Sequence, residues 1–256
     1  MILELHNDSV ITYDSHSSQI KFDGVDISPE NVITGLGKIL TAERIEKIDK
    51  VIASRNLDIG VVLENVHDRG NTSAVMRSAE AYGFVNFSII NKPDMVFKAA
   101  NRVTQGADKW IDAKEYSNTK ACITELKKQN YQVFATDLNA TTTIDAIDFT
   151  KPTAVVFGNE KDGVTPELLS QCDGSFIIPM YGFSQSFNIS VASALTFQFI
   201  HAMIQSSLGL NKGSEKPITS PINSCPENKK RYQALKAWYY IQSINASAQE
   251  QLKSLI

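Results

Sequence analysis

The chain is short of the features that would mark a secreted, metal-bearing or membrane protein. Its three cysteines, Cys122, Cys172 and Cys225, are an odd number with no close pair, so neither a disulfide framework nor a Cys-x-x-Cys metal site is supported. The four histidines (His6, His16, His67, His201) are scattered and lack the i, i+4 spacing with which one helix face offers two ligands to a metal. No run of roughly 18 apolar residues occurs, and residues 1–30 hold acids where an export signal would place a basic stretch before an apolar one. A reduced cytoplasmic protein without a metal is the expectation. Nucleotide and hydrolase signatures are missing too. No G-x-G-x-x-G follows the first core strand, and neither G-x-x-x-x-G-K-[ST] nor a G-x-S-x-G elbow occurs, which argues against dinucleotide, ATP and triad chemistry.

What is present is enough apolar material for a full core: 256 residues, 43% hydrophobic and 21% charged, the profile of one domain with appendages. The net charge of −3 decides nothing about nucleic acid, because phosphate binding depends on where the cations sit. They are clustered. Between Lys212 and Lys236 stand Lys212, Lys216, Lys229, Lys230, Arg231 and Lys236 against Glu215 and Glu227.

Along the chain, residues 1 to about 30 contain short alternating runs such as Gln19-Ile20-Lys21-Phe22 before Asp23-Gly24, the pattern of a small hairpin or ordered extension. Pro29-Glu30 opens one helical pattern, and Thr41 is placed to cap a second, with Ile45, Ile48, Val51 and Ile52 on one face. Ile59–Leu63 reads as the first core strand. A helix follows from about Thr72 to Tyr82, with Asn71 as its expected cap and Arg77 nearly two turns along. Phe87–Ile90 is the next strand, and Asn91–Lys109 a long polar loop. Then come a helix over 118–130, a strand over 132–135 with Thr136 opening a polar loop, a strand over 154–157, a strand over 175–178 and a helix over 189–204. Such alternation indicates a parallel sheet with helices on both faces. A Ser-, Gly- and Pro-rich linker and a last helix from Tyr232 complete the pattern: an N-terminal extension over 1–57, a core domain over 58–206, and a linker with a C-terminal helix over 207–256.

Two polar turns leave strand ends in the core domain: Gly158-Asn159-Glu160-Lys161-Asp162-Gly163, and Pro179 through Asn188. Strand ends followed by polar loops make a crevice, where open α/β sheets bind ligands. The polar residues gathered there or on the first helix are Asn71, Asn159, Ser186 and Asn188, with the ions Arg77 and Glu160. Such a set can orient a neutral donor and a hydroxyl and bind a phosphate through arginine, without specifying the reaction.

Three ordered segments carry a resemblance: Glu64-Asn65-Val66-His67 through Asn71-Thr72-Ser73-Ala74-Val75-Met76-Arg77; Phe157-Gly158-Asn159-Glu160-Lys161-Asp162-Gly163; and Ile178-Pro179-Met180 through Ser186-Phe187-Asn188. They resemble the motifs of the SpoU class of SPOUT RNA 2′-O-ribose methyltransferases over about residues 41–206. The resemblance implies an α/β SPOUT fold with a C-terminal deep trefoil knot, flanked by N- and C-terminal helical extensions. A knot is an exception to the rule against threaded chains. It also implies a homodimer, S-adenosylmethionine as methyl donor, and a structured RNA as acceptor, with guanosine 18 of tRNA the first candidate and ribosomal RNA or a non-catalytic RNA-binding relative the alternatives. The cofactor positions it implies are Thr136, Gly158, Ile178, Met180 and Phe187; the catalytic ones are Arg77, Asn71, Glu160, Ser186 and Asn188. Phe187 departs from the leucine commoner in the family, which alters how the pocket would pack. Residues 1–40 exceed the shorter relatives.

Overall fold

A computed structural model describes residues 1–4, 9–91, 100–207, 209, 226–245 and 252; His6, Lys92, Lys98, Lys212, Lys216 and Cys225 lie outside them. The chain forms two compact units, Met1–Arg55 with Lys216–Ile256, and Asn56–Glu215.

In the first unit the alternating N-terminal runs build a four-stranded antiparallel sheet in the order β1 (Ile2–Glu4), β2 (Val10–Asp14), β3 (Gln19–Phe22), β4 (Val25–Ile27). The expected hairpin is therefore part of a larger sheet. Its period of two buries Ile11, Tyr13, Ile20 and Phe22 on one face. Two helices follow, α1 (Pro29–Leu36) and α2 (Ala42–Ala53). Thr41 caps α2 as its sequence suggests, its side chain accepting from Arg44 N.

The second unit opens with β5 (Asn56–Glu64), α3 (Arg69–Ala81) and β6 (Phe84–Ile90), then a short α4 (Asn101–Thr104), β7 (Asp112–Tyr116), α5 (Thr119–Lys128) and β8 (Gln132–Thr136). It ends with β9 (Thr153–Phe157), α6 (Pro166–Leu169), β10 (Gly174–Phe176) and α7 (Ile189–Ser207). Its six strands form one sheet in the order β10-β8-β9-β5-β6-β7, every pairing parallel. All residues of β5, β6 and β9 are buried, as strands covered on both faces must be. On one face Val62, Val133 and Val156 pack with Cys122, Ile123 and Leu126 of α5 and Leu168 of α6. On the other, Phe197 of α7 meets Phe84 edge-on at 5.4 Å and Phe157 at 5.9 Å between ring centroids, an arrangement favoured by aromatic quadrupoles. That cluster holds the middle of α7 against the sheet.

The strand β7, Asp-Ala-Lys-Glu-Tyr, escapes sequence reasoning because it is polar. It is the sheet edge, where charged residues discourage pairing with another chain. β10 stops at Phe176, short of the expected Ile178, because Ile177 N donates to Thr142 O outside the sheet. The expected cap of α3 also changes. Asp68 is the N-cap, its carboxylate accepting from Asn71 N at 2.8 Å, which leaves the Asn71 side chain available for other work.

The last helix, α8 (Pro226–Ser243), belongs to the first unit. Trp238 stacks on Tyr13 at 5.7 Å, Tyr232 Oη donates to Arg55 O, and Lys236 pairs with Asp49. The tyrosine- and tryptophan-bearing helix thus packs on the N-terminal segment. Lys229 and Lys230 on it are exposed.

Candidate active site

The first turn is closed by its own atoms. Asn159 Oδ1 accepts from Lys161 N at 2.9 Å and Asp162 N at 2.7 Å, an Asx-type turn, and Gly163 N donates to Asn159 O at 3.0 Å. Gly163 adopts φ +69, a left-handed conformation suited to glycine. A Cβ on Gly158 would lie 2.0 Å from the carbonyl carbon of Gly163 and 2.2 Å from Val164 N. Only glycine permits the turn to fold back so closely.

The second turn is different. Tyr181 through Asn188 are all exposed, with Tyr181 98% and Phe183 108% accessible. Its ordered end is Asn188, whose carbonyl accepts from Val191 N and Ala192 N and whose Oδ1 accepts from Ser190 N and Ser190 Oγ. Asn188 thereby caps α7.

Between the turns and α3 runs a rail of side chains. Asn71 Nδ2 donates to Glu160 Oε1 at 2.6 Å, and Asn188 Nδ2 donates to Asn71 Oδ1 at 3.2 Å. Three segments far apart in sequence, the turn after β9, the first turn of α3 and the start of α7, meet at Asn71. Glu160 is joined to Asn71 and not to Arg77. Arg77 is exposed and its Nη1 donates to Val103 O at 3.5 Å. Ser73 Oγ accepts from Ala100 N at 2.9 Å, so α3 holds the segment after residue 100 at two points.

Beside the rail lies a cavity of about 610 Å³, within the range of small-molecule sites. Thr136, Gly158, Ile178, Met180 and Phe187 all line it, together with Glu160 and Ser186. Asn71 and Asn188 stand on the rail, and Arg77 stands farther along α3. Thr136 Oγ1 donates to Val156 O at 3.1 Å, which binds the C-terminal ends of β8 and β9 together at the cavity floor. Sequence reasoning missed Leu138, Leu169 and Ile177, which supply apolar lining. Leu138, a large apolar residue in a polar loop just beyond a strand's C-terminal end, was the available signal, and it is 58% exposed in the structure.

A lining of three carboxylates (Asp137, Glu160 and Asp162), the Lys161 ammonium, hydroxyls, backbone groups and apolar side chains fits a bent nucleoside with a sulfonium, whose positive charge the net acidic lining would favour. Among the described residues no cluster of His, Cys, Asp and Glu could hold a metal.

Residues 58–198 match the model of the SpoU rRNA Methylase family. The chain belongs to this family. The match spans more than half of the chain, and it makes the protein a methyltransferase of the SpoU type. The tRNA (guanosine(18)-2′-O)-methyltransferase of Thermus thermophilus is 37% identical over 156 residues, 60% of this chain and 80% of that one. The Aquifex aeolicus TrmH/SpoU tRNA modifying enzyme superposes with a TM-score of 0.66 at 29% identity, covering 79% of this chain and 98% of the other. An AdoMet-bound rRNA methyltransferase from Sinorhizobium meliloti superposes with a TM-score of 0.52 at 27% identity, covering 57% and 56%.

Proposed function

We propose that this SpoU-family chain transfers a methyl group from S-adenosylmethionine to a ribose 2′-hydroxyl in RNA, and that guanosine 18 of tRNA is the acceptor. The observation that carries the reading is the meeting of a donor-sized cavity with the Glu160–Asn71–Asn188 rail and Arg77 on one helix. The named tRNA relatives support the choice of RNA.

The cofactor's sulfonium supplies an activated methyl and its own leaving group, so the protein's work is positioning and charge. Thr136, Gly158, Ile178, Met180 and Phe187 would hold the donor, largely through backbone groups, with Ser186 beside them. Asn71 and Asn188, fixed by each other and by Glu160, would orient the ribose. A guanidinium is a poor base, so the role given to Arg77 is electrostatic. Its charge stabilises the alkoxide developing on the 2′-oxygen, and the proton leaves to an RNA phosphate or to water.

The family's deep trefoil knot belongs to the same reading, with residues 58–206 as the catalytic domain. Contacts between segments distant in sequence support it: Thr143 bridges Ile177 and Asn188 reaches Asn71. A homodimer is part of the proposal as well. α7 buries Ile189, Phe197 and Ile200, yet Val191, Leu195 and Phe199 remain 45%, 45% and 38% exposed at helical spacing, an apolar stripe that a second copy would cover. The enzyme would act in the cytoplasm, where its RNA is found. Among the described residues no helix is long and apolar enough to cross a membrane.

Ribosomal RNA is the rival acceptor, favoured by the rRNA methyltransferase that shares the fold. Labelled methyl from S-adenosylmethionine, followed by nuclease mapping of tRNA and ribosomal RNA, separates them. Transfer to tRNA as a 2′-O-methylated nucleotide supports the reading, and transfer to neither RNA sinks it.

A further inference from the structure

Glu64 is the last residue of β5 and is 1% exposed, yet it lies outside the rail and does not line the cavity. Its Oε1 accepts from Thr165 Oγ1 at 2.7 Å and Thr119 Oγ1 at 3.2 Å, and its Oε2 accepts from Thr165 N at 2.8 Å. Every one of these partners is neutral. A buried carboxylate satisfied only by neutral donors is a costly way to join two loops, since desolvating the charge must be offset by good hydrogen bonds. Its negative charge is felt nearby. Cys122 and Cys172 are both pushed up to about 12, chiefly by burial, with the Glu64 carboxylate adding to the shift.

What the carboxylate does that a cheaper group would not is present acceptors alone. Three donors converge on it, and an amide at the same place would turn an N–H₂ toward at least one of them. The converging groups have a common consequence. Thr165 is the N-cap of α6, its Oγ1 accepting from Leu168 N at 3.2 Å. On either side of it Val164 and Pro166 line the cavity, as do Gly163 and Leu169. Thr165 directs its polar atoms back to Glu64 while its neighbours form the wall. Thr119, the first residue of α5, supplies the remaining contact. Glu64 therefore stands behind the wall where the first turn re-enters the body.

We propose that Glu64 is a positioning residue for the methyl-donor pocket: by holding Thr165 from behind, it fixes the 163–169 wall against which the cofactor binds. The proposal rests on the donor-pocket reading above. It differs from a purely structural brace in what it predicts, because loosening this wall weakens cofactor binding without slowing the chemical step once the pocket is filled.

The test is calorimetric titration of S-adenosylmethionine into the full chain, with steady-state methyl transfer and thermal unfolding alongside, for the wild type, Glu64→Gln, Thr165→Val and Thr165→Ser. Loss of a hydrogen bond to a charged group predicts roughly tenfold weaker cofactor binding in Glu64→Gln and Thr165→Val. The KM for cofactor should rise by about the same factor, with kcat at saturating cofactor changed less than about twofold. Thr165→Ser, which keeps the hydroxyl, should restore wild-type affinity. If Glu64→Gln does not fold, the valine and serine pair at 165 decides. Unchanged affinity in Glu64→Gln or Thr165→Val, with or without a lower unfolding temperature, overturns the proposal, as does a fall in kcat alone. A wild type that binds no S-adenosylmethionine overturns the donor-pocket reading and this proposal together; a wild type that binds it while the variants bind equally well overturns this proposal only.

Discussion

The two turns that leave the sheet at its C-terminal edge are built on opposite plans. The turn at 158–163 is finished within itself: Asn159 accepts two backbone N–H groups, the backbones of Gly158 and Gly163 touch, and Glu64 holds the re-entry point. The turn at 179–188 has no such internal work. Among the described residues, none from Pro179 to Phe187 makes a hydrogen bond within the chain, and two aromatic side chains face solvent. The contrast teaches that one wall of the cavity is fixed by hydrogen bonds within the chain while the other is not; under the proposed function, the cofactor, RNA or a second copy would order the second. Asn188, tied to Asn71, is where the open turn joins the closed one.

The largest effect on cofactor binding should come from breaking the closed turn. Gly158→Ala puts a methyl 2.0 Å from the Gly163 carbonyl carbon; overpacking of about 3 kcal/mol concentrated there predicts cofactor binding on the order of a hundredfold weaker by calorimetry. Arg77→Ala tests the acceptor side. Removing one preorganised charge from the developing alkoxide should lower kcat by about 10²-fold to 10³-fold while cofactor affinity stays at the wild-type value. Asn71→Ala cuts the rail between the turns and should cost about tenfold in kcat/KM for RNA. Leu195→Asp addresses the open side: a charge in the apolar stripe of α7 should shift sedimentation velocity from dimer to monomer, and an unchanged dimer would mean the stripe is not the interface.

The smallest effect concerns the body behind β8. Burial alone would raise the Asp173 pKa, but the Lys127 ammonium and Val133 N–H hydrogen-bond its carboxylate and hold it below the ordinary 3.8. A lowered folded value means stability present above the unfolded pKa and lost as pH falls through the folded one. Asp173→Asn should therefore cost about 1 kcal/mol at neutral pH, discounted because the side chain is 42% exposed. The difference from wild type should shrink as denaturant melts are repeated below about pH 4.

Much of this was legible before any coordinates. Buried β-branched runs such as Ile59–Leu63 and Ala154–Phe157 announce a parallel sheet, and Asn159 between two glycines announces a tight turn. The cavity-lining positions Thr136, Ile178, Met180 and Phe187 came instead with the family resemblance, since backbone contacts leave no side-chain signature. Other features were hidden for physical reasons. β7 is polar because it is an edge. Asn71 looks like a cap because asparagine favours caps, while Asp68 takes that role and frees Asn71 for Glu160. Glu64 opens the first of the three family-like segments without a role attached to it; only its burial and its three donors suggest one. The packing of the C-terminal helix on the N-terminal segment pairs residues some two hundred positions apart, beyond any local pattern.

The most direct test of the central claim uses wild-type protein, methyl-labelled S-adenosylmethionine and two tRNA substrates that differ only in a 2′-deoxy ribose at guanosine 18. The account predicts label recovered as 2′-O-methylguanosine at position 18 of the ordinary tRNA and none in the deoxy substrate. Label on a base, equal labelling of both substrates, or no transfer to either would contradict it.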